Sequence, residues 1–401
     1  MTHDILIAGD GLSGLTMALA LAQAGLDCAV MGPHLVHKNE TTSEDARTTA
    51  IMQDGIEFLD QIGVWPDLKD DAAPLRYMRL VSGEKEIVFD ATNIGLSQFG
   101  YNIPNSVLKQ VLLTHLHRHK RVTLLSGMVT AVDFPRAEDR PQRVSLRTEQ
   151  GVSYQTRLVI AADGAKSVVR EAAKLDCTIH DPQQSAVVGW IKTERPHDFT
   201  STEFYYRGGP FTVVPTPDPH IMTLVYCDRA ENLADVTALS DDAFDAHLTD
   251  MTQGRFGDVH FTGRKQYWPI RSLRASTLVA PHIALIGETA HMMPPLAAQG
   301  FNTSLRDIQI LCDALSRAVA VGSDIADMAV LRHYERARRF DIQARSRAVN
   351  GLNDMIRRDD GIGRSLHGFG FFLLDKMKPL KNMVMKVALS PRASVKPSGR
   401  I

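Results

Sequence analysis

The chain has 401 residues, 44% hydrophobic and 23% charged, a balance that argues against disorder and leaves room for two domains or one large domain with an excursion. Its four cysteines, Cys28, Cys177, Cys227 and Cys312, are far apart, with neither a CxxC pair nor metal-ligand spacing; this fits reduced thiols in the cytoplasm and points to no metal. The formal net charge of −1 hides an asymmetry, because residues 331–401 hold sixteen Lys+Arg against six Asp+Glu, a net of +10, and the rest carries −11.

The N-terminus, Met1-Thr2-His3-Asp4, has no basic leader and runs straight into an apolar strand, Asp4–Ala8. Gly9-Asp10-Gly11-Leu12-Ser13-Gly14 follows, then a helix from Leu15 to Ala24 closed by Gly25. Cys28–Met31 is the next strand, so the first 31 residues read as one βαβ unit. Leu158–Ala162, ended by Asp163-Gly164, and Ile283–Ile286, ended by Gly287-Glu288, are two more buried strands of parallel type. Between about 180 and 265 the pattern alternates β-formers with turn residues, as in Ser185–Ile191, Phe211–Val214 and Ile221–Tyr226, and reads as an inserted antiparallel sheet. Beyond Gly300 it is helical to about residue 390. No apolar run reaches the roughly 18–20 residues that span a bilayer.

Three blocks carry chemistry. In the first, Gly9 permits a tight turn, Gly11 lets the backbone approach a pyrophosphate, and Gly14 lets helix and strand pack closely. The helix N-terminus that follows offers N–H groups to phosphate. This motif alone does not separate FAD from NAD. The second block is Asp163-Gly164-Ala165-Lys166-Ser167-Val168-Val169-Arg170. The third is Gly287-Glu288-Thr289-Ala290-His291, then Pro295 and Gln299-Gly300-Phe301-Asn302, with Asp307 beyond. There a strand ends at Gly287 and a carboxylate follows that is placed to hold a ribityl hydroxyl. A helix N-terminus behind the loop favours negative charge on a reduced flavin ring.

In order and spacing these blocks resemble the class A FAD-dependent aromatic hydroxylases, the family of p-hydroxybenzoate hydroxylase. Asp45-Ala46-Arg47-Thr48-Thr49-Ala50-Ile51 is similar to the family's DxRxxAL segment. Glu203-Phe204, Gly209-Pro210-Phe211 with Pro215, Trp268-Pro269-Ile270, Pro295–Asn302 and the helix bearing Arg332, Tyr334, Arg338 and Arg339 resemble the branch that hydroxylates polyprenyl phenols in ubiquinone biosynthesis. The likeness covers nearly the whole chain. It implies an α/β fold: a Rossmann-like FAD-binding domain (1–75, 105–178 and 266–330), an inserted antiparallel substrate domain (76–104 and 179–265), and a basic helical C-terminal segment (331–401).

The resemblance implies that Gly9, Gly11, Leu12, Ser13 and Gly14 take the pyrophosphate, with Arg47 near it. Asp163 belongs to a motif shared by FAD and NAD(P)H; Gly287 and Glu288 hold the ribityl chain; Ala298, Gly300, Phe301 and Asn302 face the isoalloxazine. NADPH or NADH is the implied co-substrate and a polyprenyl phenol the implied partner, with no nucleic acid. Peripheral contact with the cytoplasmic face of the inner membrane and membership of a ubiquinone-biosynthesis complex are further expectations. The family's acid at the end of the second strand is Gly32 here, and Glu40, Glu44 or Asp45 are the acids open to that role. The usual Asp is Glu288, and the usual Gly before Gln299 is Ala298, which is expected to crowd the cofactor.

Other residues admit two readings each. His291 is catalytic or, as the flavin carries the oxygen chemistry, a packing histidine. Arg170 pairs with an NADPH phosphate or lies on the surface; Lys166 is solvated. Tyr205, Tyr206 and Arg207 line the substrate cavity or form cross-strand pairs. Phe369–Leu374 with Lys376, Lys378, Lys381 and Lys386 is an interfacial helix or a packed one.

Overall fold

A computed structural model describes residues 2–35, 45–136, 142–296 and 298–357. In chain order it begins with β1 (Thr2–Ala8), α1 (Leu12–Gln23), β2 (Cys28–Gly32), β3 (Thr48–Met52), α2 (Gln53–Gln61), β4 (Ala73–Leu75), β5 (Tyr77–Ser82), β6 (Lys85–Asp90) and β7 (Gly100–Pro104). It continues through α3 (Asn105–Arg118), β8 (Val122–Ser126), β9 (Val129–Asp133), β10 (Val144–Thr148), β11 (Ser153–Ala161), α4 (Val168–Ala172) and β12 (Cys177–Thr193). Then come β13 (Thr200–Tyr206), β14 (Gly209–Pro215), β15 (Ile221–Arg229), α5 (Ala230–Thr237) and α6 (Asp241–Met251). The described chain closes with β16 (Val259–Ala275), β17 (Val279–Ala280), β18 (Ile283–Leu285), β19 (His291–Met292), α7 (Gln299–Ala320) and α8 (Met328–Arg357).

The first sheet has the order β17-β18-β11-β1-β2-β8, with β9 and β10 attached beside β11. Its central strands β18, β11, β1, β2 and β8 run parallel. Ile5–Ala8, Cys28–Met31 and Leu158–Ala161 are buried, as expected where helices cover both faces of a parallel sheet. α1 and α7 pack together over this sheet; Leu15, Leu19, Ile308 and Leu311 share its core.

The second sheet has the order β19-β16-β12-β15-β14-β13-β5-β6. It is the inserted sheet of the sequence reading, with one correction: β13 pairs with β5 in parallel. β5 and β6 come from a hairpin more than a hundred residues upstream, which the alternation pattern of 180–265 does not reach. The sheet also runs longer than that interval, from Cys177 in β12 to Ala275 in β16. Its core is Val187, Ile191, Phe204, Phe211, Leu224, Phe244 and Leu248. A third, three-stranded sheet, β3-β7-β4, contains the second half of the motif Asp45–Ile51 in β3, whose end is tied to the start of α7.

α1 starts at Leu12, three residues earlier than the sequence suggests, because a glycine in a helix's first turn costs little while it opens room for close packing. The helical region after Gly300 is broken at 321–327 into α7 and α8. The Phe369–Leu374 run and its lysines lie outside the described residues, as do Glu40 and Glu44. Among the described residues, no helix is long and apolar enough to cross a membrane.

Candidate functional site

The three sequence blocks converge at one sheet edge. Ala8 of β1 is in register with Ala161 of β11, and Ala161 with Leu285 of β18. Gly9, Asp163 and Gly287 therefore leave neighbouring strands at the same level, beyond the carboxyl ends of a parallel sheet, where open α/β folds bind ligands. The strand ends are tied by Ala162 N donating to Ala8 O (2.8 Å), Ile286 N to Ala161 O (3.0 Å) and Gly164 N to Thr289 Oγ1 (2.9 Å). Gly9 has φ +120°, and a side chain there would collide with Ala162 O. At Gly287, φ is +60° and a Cβ would lie 2.6 Å from Ser13 Oγ, so the first and third blocks touch through Ser13.

Asn302 fastens the start of α7 to β3. Its Oδ1 accepts from Met52 N (2.9 Å), and its Nδ2 donates to Ala50 O (2.8 Å) and Ala298 O (2.6 Å). No side chain caps the N-terminus of α1 or of α7. Both helices thus present first-turn N–H groups toward the edge where the strands end. Glu288 is exposed in a short turn, Gly287–Thr289. Arg47 lies 4.1 Å from the Trp268 ring centroid and forms a two-pronged pair with Asp45, Nε and Nη2 each 2.8 Å from a carboxylate oxygen. Burial would lower the Arg47 pKa, but Asp45 and Glu288 outweigh it and keep the guanidinium charged.

Residues 2–348 match the FAD binding domain family. The chain belongs to that family. It is 31% identical over 392 residues to ubiquinone hydroxylase UbiL of Rhodospirillum rubrum, covering 96% of this chain and 89% of the relative. It is 30% identical over 398 residues to 3-demethoxyubiquinol 3-hydroxylase of Escherichia coli, covering 96% and 98%. Among solved structures, p-nitrophenol 4-monooxygenase PnpA from Pseudomonas putida shares the fold, with a TM-score of 0.77, 18% identity, and coverage of 98% of this chain and 100% of that one. The chain is thus an FAD-dependent enzyme of the class A aromatic hydroxylase type.

The residues of this flavoprotein fit FAD on their own geometry. A Cβ on Gly11 or on Gly300 would meet nothing within 4 Å, so open space lies over the glycine loop and over the start of α7. A phosphate and a flat ring system require such openings beside uncapped helix ends. Asp163 has a structural task at the same time: Oδ2 accepts from Val169 N (3.3 Å) and Oδ1 from Thr289 Oγ1 (3.3 Å). Burial raises its pKa, against the lowering effect of hydrogen bonds from Ser167, Val169 and Thr289.

Both readings of Arg170 need correcting. It is 4% exposed, and its guanidinium donates to Thr289 O (2.9 Å) and Ala165 O (2.7 Å), pinning the second block to the third. A side chain so engaged is neither a surface residue nor a free phosphate ligand. Lys166 is exposed. His291 is buried and bonded through Nε2 to Asp307 Oδ2 (2.6 Å). Its partner Asp307 also accepts from Gly287 N (3.1 Å) and from Arg338 Nε (2.7 Å). Arg345 of α8 reaches Gln299 at the start of α7. This scaffold behind the third block was missed as a unit, although Asp307 and Arg338 stood in the quoted motifs.

Ala298 occupies the left-handed region, φ 53° and ψ 32°, as the N-cap of α7. The position favours glycine for its backbone. Ala298→Gly is expected to stabilise the fold by about 1 kcal/mol, seen as a higher thermal midpoint. On its far side Ala298 packs in an apolar cluster with Met52, Leu75, Phe99, Val214 and Tyr205. Tyr205 also meets Met293, Leu296 and Val349, so it stands between the inserted sheet, the third block and α8. Burial holds the Tyr205 phenol well above its ordinary pKa, which keeps it protonated. Tyr206 is a cross-strand core residue whose hydroxyl donates to Met251 O (2.6 Å); Arg207 is exposed.

Proposed function

We propose that this flavoprotein hydroxylates the aromatic ring of a polyprenylated phenol in ubiquinone biosynthesis, with NADPH or NADH as electron donor and O₂ as oxygen source. The observation that carries it is the end-to-end likeness to two ubiquinone hydroxylases at 31% and 30% identity.

In this reading Gly9, Gly11, Leu12, Ser13 and Gly14 hold the pyrophosphate, and Gly287 and Glu288 the ribityl chain. Ala298, Gly300, Phe301 and Asn302 line the ring. Bound FAD supplies the redox chemistry: it accepts two electrons from the nicotinamide and activates dioxygen for transfer of one atom. The chain's own residues do the rest. Asn302 fixes the loop that faces the ring, the uncapped end of α7 favours negative charge there, and the apolar cluster excludes water. Arg47, charged and stacked on Trp268, moves onto the cofactor only by leaving Asp45. Residues 1–75, 105–178 and 266–330 form the flavin part, 76–104 and 179–265 the substrate part. The basic C-terminal segment, 331–401, serves peripheral contact with anionic lipid, beside other enzymes of the pathway.

The test is NAD(P)H oxidation by the FAD-loaded protein with a short-chain prenyl phenol and, separately, a hydroxybenzoate. Stimulation by the prenyl phenol, with a product one oxygen atom heavier, is the expected result. Stimulation by the hydroxybenzoate alone moves the substrate to a small aromatic acid. Protein that stays colourless in excess FAD is a structural homologue, not a hydroxylase.

A further inference from the structure

The strand-2 acid that dinucleotide-binding folds place about 20 residues after the glycine motif, on the adenosine ribose hydroxyls, is replaced here by Gly32. Asp45, the described one of the three acids open to that role, is committed to Arg47. The structure points elsewhere. A Cβ built on Gly32 would collide with Asp10 Cβ and Cγ and lie 2.8 Å from Asp10 Oδ2. Gly32 is not in the left-handed region, so its backbone does not demand glycine. The space does, because the Asp10 side chain already fills the path a side chain at 32 would take. Gly9 N donates to Met31 O (2.8 Å), which locks the glycine loop against the end of β2 and fixes this juxtaposition.

We propose that the acid has changed places: Asp10, inside the glycine motif, is the anchor for the adenosine ribose of FAD, and Gly32 is the vacancy that admits it. Asp10 Oδ2 accepts from His34 N (2.9 Å), which aims the carboxylate along the end of β2. Oδ1 has no partner among the described residues, and it keeps contact with solvent. A carboxylate only 9% exposed, with one oxygen bonded to backbone and the other open at the cofactor edge, is a hydrogen-bond acceptor without its donor. A ribose hydroxyl supplies that donor. The two positions also form a coupled pair, since a side chain fits at 10 or at 32 but not at both.

This inference rests on FAD being the cofactor, and its test reads binding, not turnover. Wild-type apoprotein is titrated with FAD and with FAD whose adenosine lacks the 2′-hydroxyl, following flavin fluorescence. The expected result is a preference for FAD of about 10–100-fold, the range of a hydrogen bond to a charged group. Asp10→Ala is expected to weaken FAD by a similar factor and to bind both flavins alike. Gly32→Glu alone collides with Asp10 and binds FAD poorly, whereas Asp10→Gly with Gly32→Glu, which also removes the Cβ that a side chain at 32 would meet at 2.3 Å, regains affinity and the preference. Equal wild-type affinity for the two flavins overturns the proposal without any variant having to fold. So does an Asp10→Ala protein that keeps the preference. Apoprotein that takes up neither flavin overturns the FAD reading itself, and the proposal with it.

Discussion

Asp307→Ala is expected to destabilise the fold by about 3–5 kcal/mol, the range for removing one partner of a buried ion pair. Asp307 and Arg338 are both buried, at 0% and 2% exposure. One carboxylate oxygen accepts from Arg338 Nε; the other accepts from Gly287 N and meets His291 Nε2. Arg338 in turn donates to Thr303 O (3.2 Å) and to Asp341 Oδ2 (2.6 Å). Removing the carboxylate takes from the buried Arg338 its Nε acceptor, leaving only Asp341 and Thr303 O, and leaves Gly287 N without its acceptor. FAD affinity is therefore expected to fall with stability, both measured by urea unfolding and flavin titration of the same protein. Asp307→Leu with Arg338→Met is expected to be milder than Asp307→Ala alone, because no charge is left unpaired. The pH dependence has a definite sign. Burial would raise the Asp307 pKa, but His291 and Arg338 hold it below its ordinary value. Its contribution is complete above the unfolded carboxylate pKa, near 4, and is lost as pH falls through the folded value. The gap between wild type and variant is then full at pH 7 and closes in acid below about pH 4.

That network shows where sequence reading stops. The glycine loop, Asp163 and the Gly287-Glu288 block were legible because each follows an apolar run directly, and strand-then-turn chemistry is local. Their meeting at one edge follows from the parallel register of β1, β11 and β18. The parallel pairing of β5 with β13 has no such local sign. Nor does Arg170 announce its carbonyl partners, since Thr289 is 119 residues away. Asp10 is a different case. Gly32 was visible as a departure from the family motif, but relating it to Asp10 requires knowing that a Cβ at 32 would collide with the Asp10 side chain. At Ala298 the sequence raises cofactor crowding but does not show the left-handed backbone.

Gly11→Ala and Gly14→Ala are expected to separate cofactor binding from folding. A Cβ on Gly14 would run into Gly9 O, a backbone atom that cannot swing aside, and would lie 3.5 Å from Ala162 Cβ. α1 would have to lift from the strand it covers, although Leu15 and Leu19, beside it, are fully buried. Overpacking of this kind costs about 1–3 kcal/mol, so apoprotein stability and FAD affinity fall together. At Gly11 an added Cβ meets no protein atom within 4 Å, and the backbone, φ −71° and ψ 172°, is one that any residue adopts. Apo Gly11→Ala is therefore expected to unfold within about 0.5 kcal/mol of wild type. The methyl group instead takes the space through which the loop approaches the pyrophosphate, and FAD affinity drops by about tenfold or more, one lost charge-assisted hydrogen bond or its equivalent. Thermal unfolding of the apoproteins, paired with flavin titration, checks both. If Gly11→Ala binds FAD as tightly as wild type, the pyrophosphate does not cross the loop at Gly11. If it instead loses as much apo stability as Gly14→Ala, the open space over the loop is not there in solution.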